Sequence, residues 1–94
     1  MLDKHIHGTV ARLSPEAPVP ILKAERESYN PGGAANLANN ISSLGAKAYL
    51  SGVVGNDEAQ KILFKELEKN NIDTSCVIKT SKQTIQKIRW LLRQ

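Results

Sequence analysis

Residues 31–38, Pro-Gly-Gly-Ala-Ala-Asn-Leu-Ala, combine paired glycines with the alanine-rich make-up of a helix start. Gly32 and Gly33 lack the Cβ that would hold a ligand off the backbone. The amides of the first helical turn have no intrahelical acceptor, so the expectation is a loop whose N–H groups point at a polar ligand. Asn36 adds a carboxamide in that turn, although a plain helix tolerates an asparagine there as well. Lys87 and Arg89 stand two apart in a segment read as a strand, which sends both side chains off one face about 7 Å apart. Two cations at that spacing can share a phosphate; solvated strand charges reach the same spacing by accident. His5 and His7 are also two apart, but no third ligand accompanies them, and Cys76 has no Cys or His at metal-ligand spacing. No metal site is expected.

The elements that must position these residues alternate in type. Thr9 to Leu13 and Val19 to Ala24 read as short strands, joined by Ser14-Pro15-Glu16-Ala17-Pro18, whose two prolines are expected to hold them at a defined angle rather than in a tight hairpin. From Ala34, Leu37, Ala38, Ile41 and Leu44 recur at helical spacing up to the cap at Gly45, and Ala48 to Val54 resumes as an apolar strand. Asn56 or Asp57 caps a second helix with Ala59, Ile62, Leu63 and Leu67 as its buried stripe; Asn70-Asn71 ends it. Strands at Thr74 to Lys79 and Thr84 to Leu92 follow. Strand, helix, strand, helix, strand is the order of an α/β sheet with helices on its faces. The last strand, Ile85 to Leu92, has no helix after it, which makes a piece of a larger protein the expectation.

Composition narrows the function classes. The chain has 94 residues, 40% hydrophobic and 23% charged, with a net charge of +4. That is ordinary globular material for one domain, only marginally able to bury its own core. Lys and Arg are dispersed and are not interleaved with aromatics, so a solvated surface is favoured over a nucleic-acid footprint. One cysteine fits a reducing cytoplasm. No apolar run reaches the ~20 residues that span a bilayer, and no signal-peptide pattern opens the chain.

Gly32, Gly33, Ala34, Asn36, Ala38, Gly45 and Gly55 together stand at the spacing of the ribokinase-like (PfkB) sugar-kinase signature, and the chain resembles that family. Met1-Leu2-Asp3, the connector from Ser14 to Pro20 and Thr84-Ile85-Gln86-Lys87-Ile88-Arg89 resemble the D-glycero-D-manno-heptose 7-phosphate kinase branch, including the kinase half of bifunctional kinase and adenylyltransferase proteins. The resemblance covers nearly the whole chain but about the first third of such a kinase domain. It implies an incomplete ribokinase-like α/β fold: a partial sheet with flanking helices, with a small β lid at about 9–24 and a core at about 30–94.

The same resemblance implies that Asp3 hydrogen-bonds sugar hydroxyls while Gly32, Gly33 and Asn36 close around the sugar; without it, Asp3 reads as a frayed terminal acid. A carboxylate, a carboxamide and backbone amides offer the acceptors and donors that hydroxyls need. Lys87 and Arg89 then serve either the substrate phosphate or nucleotide phosphates. Asp57 stays a helix cap. ATP and Mg²⁺ are the cofactors implied for the parent enzyme, and a sugar phosphate and a homodimer formed through the lid are the implied partners. The catalytic base and phosphate cradle belong to a Gly-Ala-Gly-Asp motif that this sequence does not contain, so the chain alone is expected to be inactive. A ribokinase- or fructokinase-type kinase for another sugar, a non-catalytic lid and dimerisation module and a small basic nucleic-acid binder are the other readings.

Overall fold

The computed structural model describes residues 1–93. Strand β1 (Leu2–Leu13) and strand β2 (Pro20–Pro31) pair antiparallel along their lengths, and β5 (Gln86–Arg93) joins the other side of β1 in parallel. Between β2 and β5 the chain forms α1 (Ala34–Ser43), β3 (Tyr49–Val54), α2 (Glu58–Lys69) and β4 (Asp73–Lys79). β3 and β4 make a separate two-stranded parallel sheet around the α2 crossover. The sequence order of elements is as expected, but the strands divide into two sheets, β2-β1-β5 and β3-β4.

The expected pair of short, angled strands is a long hairpin. Ser14 N–H donates to the Val19 carbonyl at 2.7 Å, closing the proline-containing loop between antiparallel strands. Polar residues at every second position, Asp3, His5 and His7 on β1 and Arg26, Ser28 and Asn30 on β2, hide the strand signal in a count of apolar residues. They are still a period-two pattern with one wet face. β2 therefore runs through the expected lid–core boundary near residues 24–30.

Leu2, Ala35, Ala38, Ala48, Val54, Ala59, Leu63, Leu67 and Ile72 form the core, with Tyr29, Leu50, Ile62, Phe64 and Val77 packed against it. α2 behaves as its spacing predicts: Ala59, Leu63 and Leu67 are buried and Ile62 is half-buried. α1 does not. It buries Ala35 and Ala38, while Leu37 is 60% exposed and Leu44 87%. Small residues let α1 approach the sheet closely, which turns its larger apolar side chains outward to line a groove of about 280 Å³ with Lys47, Tyr49 and Leu50. Ser42 Oγ donates to the Asn70 carbonyl at 2.5 Å and ties the end of α1 to the end of α2. Asn71 turns the chain at φ +59°, a left-handed value that asparagine tolerates, as the Asn-Asn pair predicts.

Among the described residues, no helix is long and apolar enough to cross a membrane.

Candidate functional site

Residues directly across a ladder share a face, so the β2-β1-β5 register assigns the two sides of the sheet. On the helix side, Leu2 and Ile6 are buried, and Lys4 pairs with Glu27 at 3.5 Å beside Tyr29. On the open side, Asp3 lies between Asn30 and Lys87, and His5 lies between Ser28 and Arg89. His7 faces Arg26; its Nδ1 is 3.4 Å from Arg26 Nη2 and its Nε2 3.5 Å from Ser28 Oγ. One sheet face thus collects a carboxylate, a carboxamide, two imidazoles and three cationic side chains from three separated stretches of sequence.

Gly32 ends the β2 arm beside Asp3. A Cβ built on Gly32 would stand 2.5 Å from Asp3 Oδ1, so the carboxylate packs on bare backbone. Oδ1 is shut off from solvent and has no hydrogen-bond partner among the described residues. A buried carboxylate oxygen without a donor costs free energy, so this one stands in need of a partner. Gly33 follows with φ +56° and ψ −127°, a conformation that an L side chain strains to reach. That turn launches α1.

The donors of this loop differ from the expectation. The amides of Ala35, Asn36 and Leu37 are already bonded, Ala35 to the Gly32 carbonyl at 3.1 Å and the other two to the Gly33 carbonyl at 3.1 and 3.2 Å. Tight i→i+3 turns engage the Ala35 and Asn36 amides, and Leu37 makes the first regular i→i+4 bond of the helix. Gly32 N–H donates to the Met1 carbonyl at 2.9 Å. Gly33 and Ala34 keep amides with no backbone acceptor among the described residues. The unbonded amides of this loop are therefore those at the very start of the first turn, Gly33 and Ala34.

Asn36 lies exposed in the first turn of α1, and its carboxamide makes no protein hydrogen bond among the described residues. Lys87 and Arg89 are exposed at alternate positions of β5 and form no ion pair among the described residues. The structure brings Asp3, Gly32 and Lys87 to one place, with Arg89 the next open-face position along. Nothing ties the Asn36 side chain to Asp3 directly. Arg26, Ser28 and Asn30 share this face, and their period-two spacing is the signal the sequence carries for it. Further along the same strands His7, Glu25, Arg26, Leu91 and Arg93 line a cleft of about 470 Å³, where Arg93 and Glu25 pair at 3.0 Å.

Asp57 caps α2 as expected, accepting from the Gln60 amide at 2.9 Å. It also accepts the Thr84 hydroxyl at 2.7 Å and, on its other oxygen, the Thr84 amide at 2.9 Å. These donors, Thr84 amide first, hold the carboxyl of Asp57 below the usual aspartate range. Among the described residues no group of three or more His, Cys, Asp or Glu is placed to hold a metal ion. His5 and His7 share a face but gain no third ligand.

The sequence matches the family model described as pfkB family carbohydrate kinase over residues 5–92. It is 48% identical over 93 residues to the "Bifunctional protein HldE" of Psychromonas ingrahamii, covering 99% of this chain and 20% of that protein. To the "Bifunctional protein HldE" of Helicobacter pylori it is 54% identical over 76 residues, covering 81% and 16%. The chain thus spans about a fifth of the length of the curated relatives it matches. The fold is similar to phosphofructokinase-2 from Escherichia coli, with TM-score 0.68 and 20% identity over 95% of this chain and 28% of that one. It is also similar to an uncharacterized sugar kinase from Pyrococcus horikoshii, with TM-score 0.61 and 32% identity over 95% and 30%. With the signature glycines, the Asp3–Gly32 contact and the ribokinase-like α/β fold in agreement, the chain belongs to the pfkB family of carbohydrate kinases.

Proposed function

We propose that this chain is the sugar-binding portion of an ATP-dependent kinase that phosphorylates the C1 hydroxyl of D-glycero-D-manno-heptose 7-phosphate, a step of ADP-heptose formation for the lipopolysaccharide core. The observation that carries the reading is the buried, unpartnered Asp3 Oδ1 against Gly32, with Lys87 across the ladder. A sugar hydroxyl donates to Asp3, and the Gly33 and Ala34 amides donate to neighbouring sugar oxygens. Asn36 offers both functions at the rim. Lys87 and Arg89 neutralise the phosphate that the substrate already carries. The heptose assignment rests on the Ser14–Pro20 connector and the Thr84–Arg89 segment, which resemble that branch, and it fits the relatives called bifunctional.

ATP and Mg²⁺ supply the transferred phosphoryl group and its charge neutralisation in kinases of this kind. The described residues offer no cluster that fits the metal and no Gly-Ala-Gly-Asp sequence. The base, the cradle and the nucleotide site belong to the remainder of the parent protein, and the isolated chain is inactive. Val10, Leu13, Val19 and Leu22 are exposed on the hairpin and support its use as a lid that also meets a second subunit. A cytoplasmic setting accords with the single, free Cys76.

The test is an ATP-consumption assay with heptose 7-phosphate, fructose 6-phosphate and ribose, on the full-length protein and on the 94 residues alone. Heptose-dependent turnover by the full-length protein, with none from the isolated chain, is expected. Preference for fructose 6-phosphate or ribose would overturn the substrate, and turnover by the isolated chain would overturn the division of labour.

A further inference from the structure

Thr84 is 4% exposed, which places a hydroxyl in the interior of a segment otherwise on the surface. Its Oγ1 accepts the Gly55 amide at 2.9 Å and donates to Asp57 at 2.7 Å, while its own amide donates to the other Asp57 oxygen at 2.9 Å. The Gly55 amide, both Asp57 carboxylate oxygens and the Thr84 amide and hydroxyl are thereby used between three residues. Gly55 closes it sterically: an added Cβ would collide with the Lys82 carbonyl and stand 2.8 Å from the Thr84 amide.

The knot sits at the point where β5 enters the sheet. Immediately after Thr84, the Ile85 carbonyl accepts the Leu2 amide at 3.0 Å, the first rung of the β1–β5 ladder. The rungs that follow set Asp3 across from Lys87 and His5 across from Arg89. β5 itself gives little register information, because all its side chains are exposed and it has no buried face to lock. A slip of one residue would turn Lys87 and Arg89 to the helix side of the sheet. A slip of two would take Lys87 away from Asp3.

Resting on the sugar-phosphate reading of the site, we propose that the Gly55–Asp57–Thr84 knot is a register clamp. Thr84 and Asp57 are positioning residues that fix which β5 side chains flank Asp3, although neither touches substrate. The helix cap is thus also the anchor of the phosphate-facing strand.

The test uses the full-length kinase with four readouts: KM for the sugar phosphate, KM for ATP, kcat and Tm. Thr84→Val should raise the sugar-phosphate KM roughly tenfold, the scale of a lost hydrogen bond to a charged group, with kcat and ATP KM within about twofold. Thr84→Ser should restore it. Asp57→Asn, which keeps a cap acceptor but sets an amide against the Thr84 N–H, should give the same selective rise. In a Lys87→Ala background Thr84→Val should add little, because it acts through Lys87. A lowered Tm with unchanged sugar KM, or a KM effect that adds fully to that of Lys87→Ala, would overturn the clamp. Asp3→Asn separates the two levels: if it leaves the sugar KM unchanged the site itself is wrong, whereas an altered Asp3→Asn beside a silent Thr84→Val removes the clamp alone.

Discussion

Lys87 stands directly across the parallel β1–β5 ladder from Asp3, so residues from opposite ends of the chain form one charged pair of positions on the open face of the sheet. A carboxylate for hydroxyls beside an ammonium for phosphate is a division of labour suited to a phosphorylated sugar.

Lys87→Ala and Arg89→Ala distinguish the two phosphates these cations can serve. In the full-length enzyme each should raise KM for the sugar phosphate by roughly 10- to 100-fold, the range of hydrogen bonds to charged groups, and leave KM for ATP unchanged. A rise confined to ATP would assign them to the nucleotide. Steady-state kinetics with each substrate varied in turn decides it.

Gly32→Ala and Gly33→Ala should fail in different ways. The Gly32 methyl would stand 2.5 Å from Asp3 Oδ1 and push the carboxylate aside, so sugar affinity falls. The Gly33 methyl meets open space apart from Met1 Cε at 3.7 Å, but its φ of +56° is strained for alanine, about 1–3 kcal/mol of lost stability. Calorimetric titration and thermal unfolding of both variants check the split.

Acid should weaken the fold through Asp57, held below the usual carboxylate range by the Thr84 amide and hydroxyl and the Gln60 amide. Asp73, bonded by the Ser75 hydroxyl and amide, and Glu27, bonded by the Tyr29 hydroxyl and near Lys4, are shifted the same way. A depressed folded-state value means that the unfolded chain binds the proton first. The stabilisation is therefore present above the ordinary carboxylate values, about 3.9 for aspartate and about 4.3 for glutamate, and is lost as pH falls through the folded values. Tm measured against pH should drop below those values, and Asp57→Asn should flatten the drop.

Leu67→Ala should cost about 2–5 kcal/mol, because the side chain is fully buried between α2 and the core. Leu44→Ala, at the exposed end of α1, should fall within about ±0.5 kcal/mol. Chemical denaturation of the two variants tests whether the core is where the packing places it.

Much of this was legible in the residues. Asp57, Asn71 and the α2 stripe read correctly because caps, left-handed turns and helical spacing are local signals. The length of β1 and β2 was not, since their wet face carries His5, His7, Arg26 and Ser28 where an apolar count expects hydrophobics. The burial of α1 was misjudged for the opposite reason: Leu37, Ile41 and Leu44 have the right spacing, but Ala35 and Ala38 set the approach distance. The Asp3–Lys87 pairing and the Thr84 knot are long-range contacts. No local pattern records which strand lies beside which.

Isothermal titration of the full-length kinase and its Asp3→Asn variant with heptose 7-phosphate tests the central claim most directly. The Asp3 site predicts a Kd raised roughly tenfold or more by Asp3→Asn, as expected for a lost charge-assisted hydrogen bond, with ATP affinity unchanged. Equal heptose 7-phosphate affinity in the two proteins would contradict it.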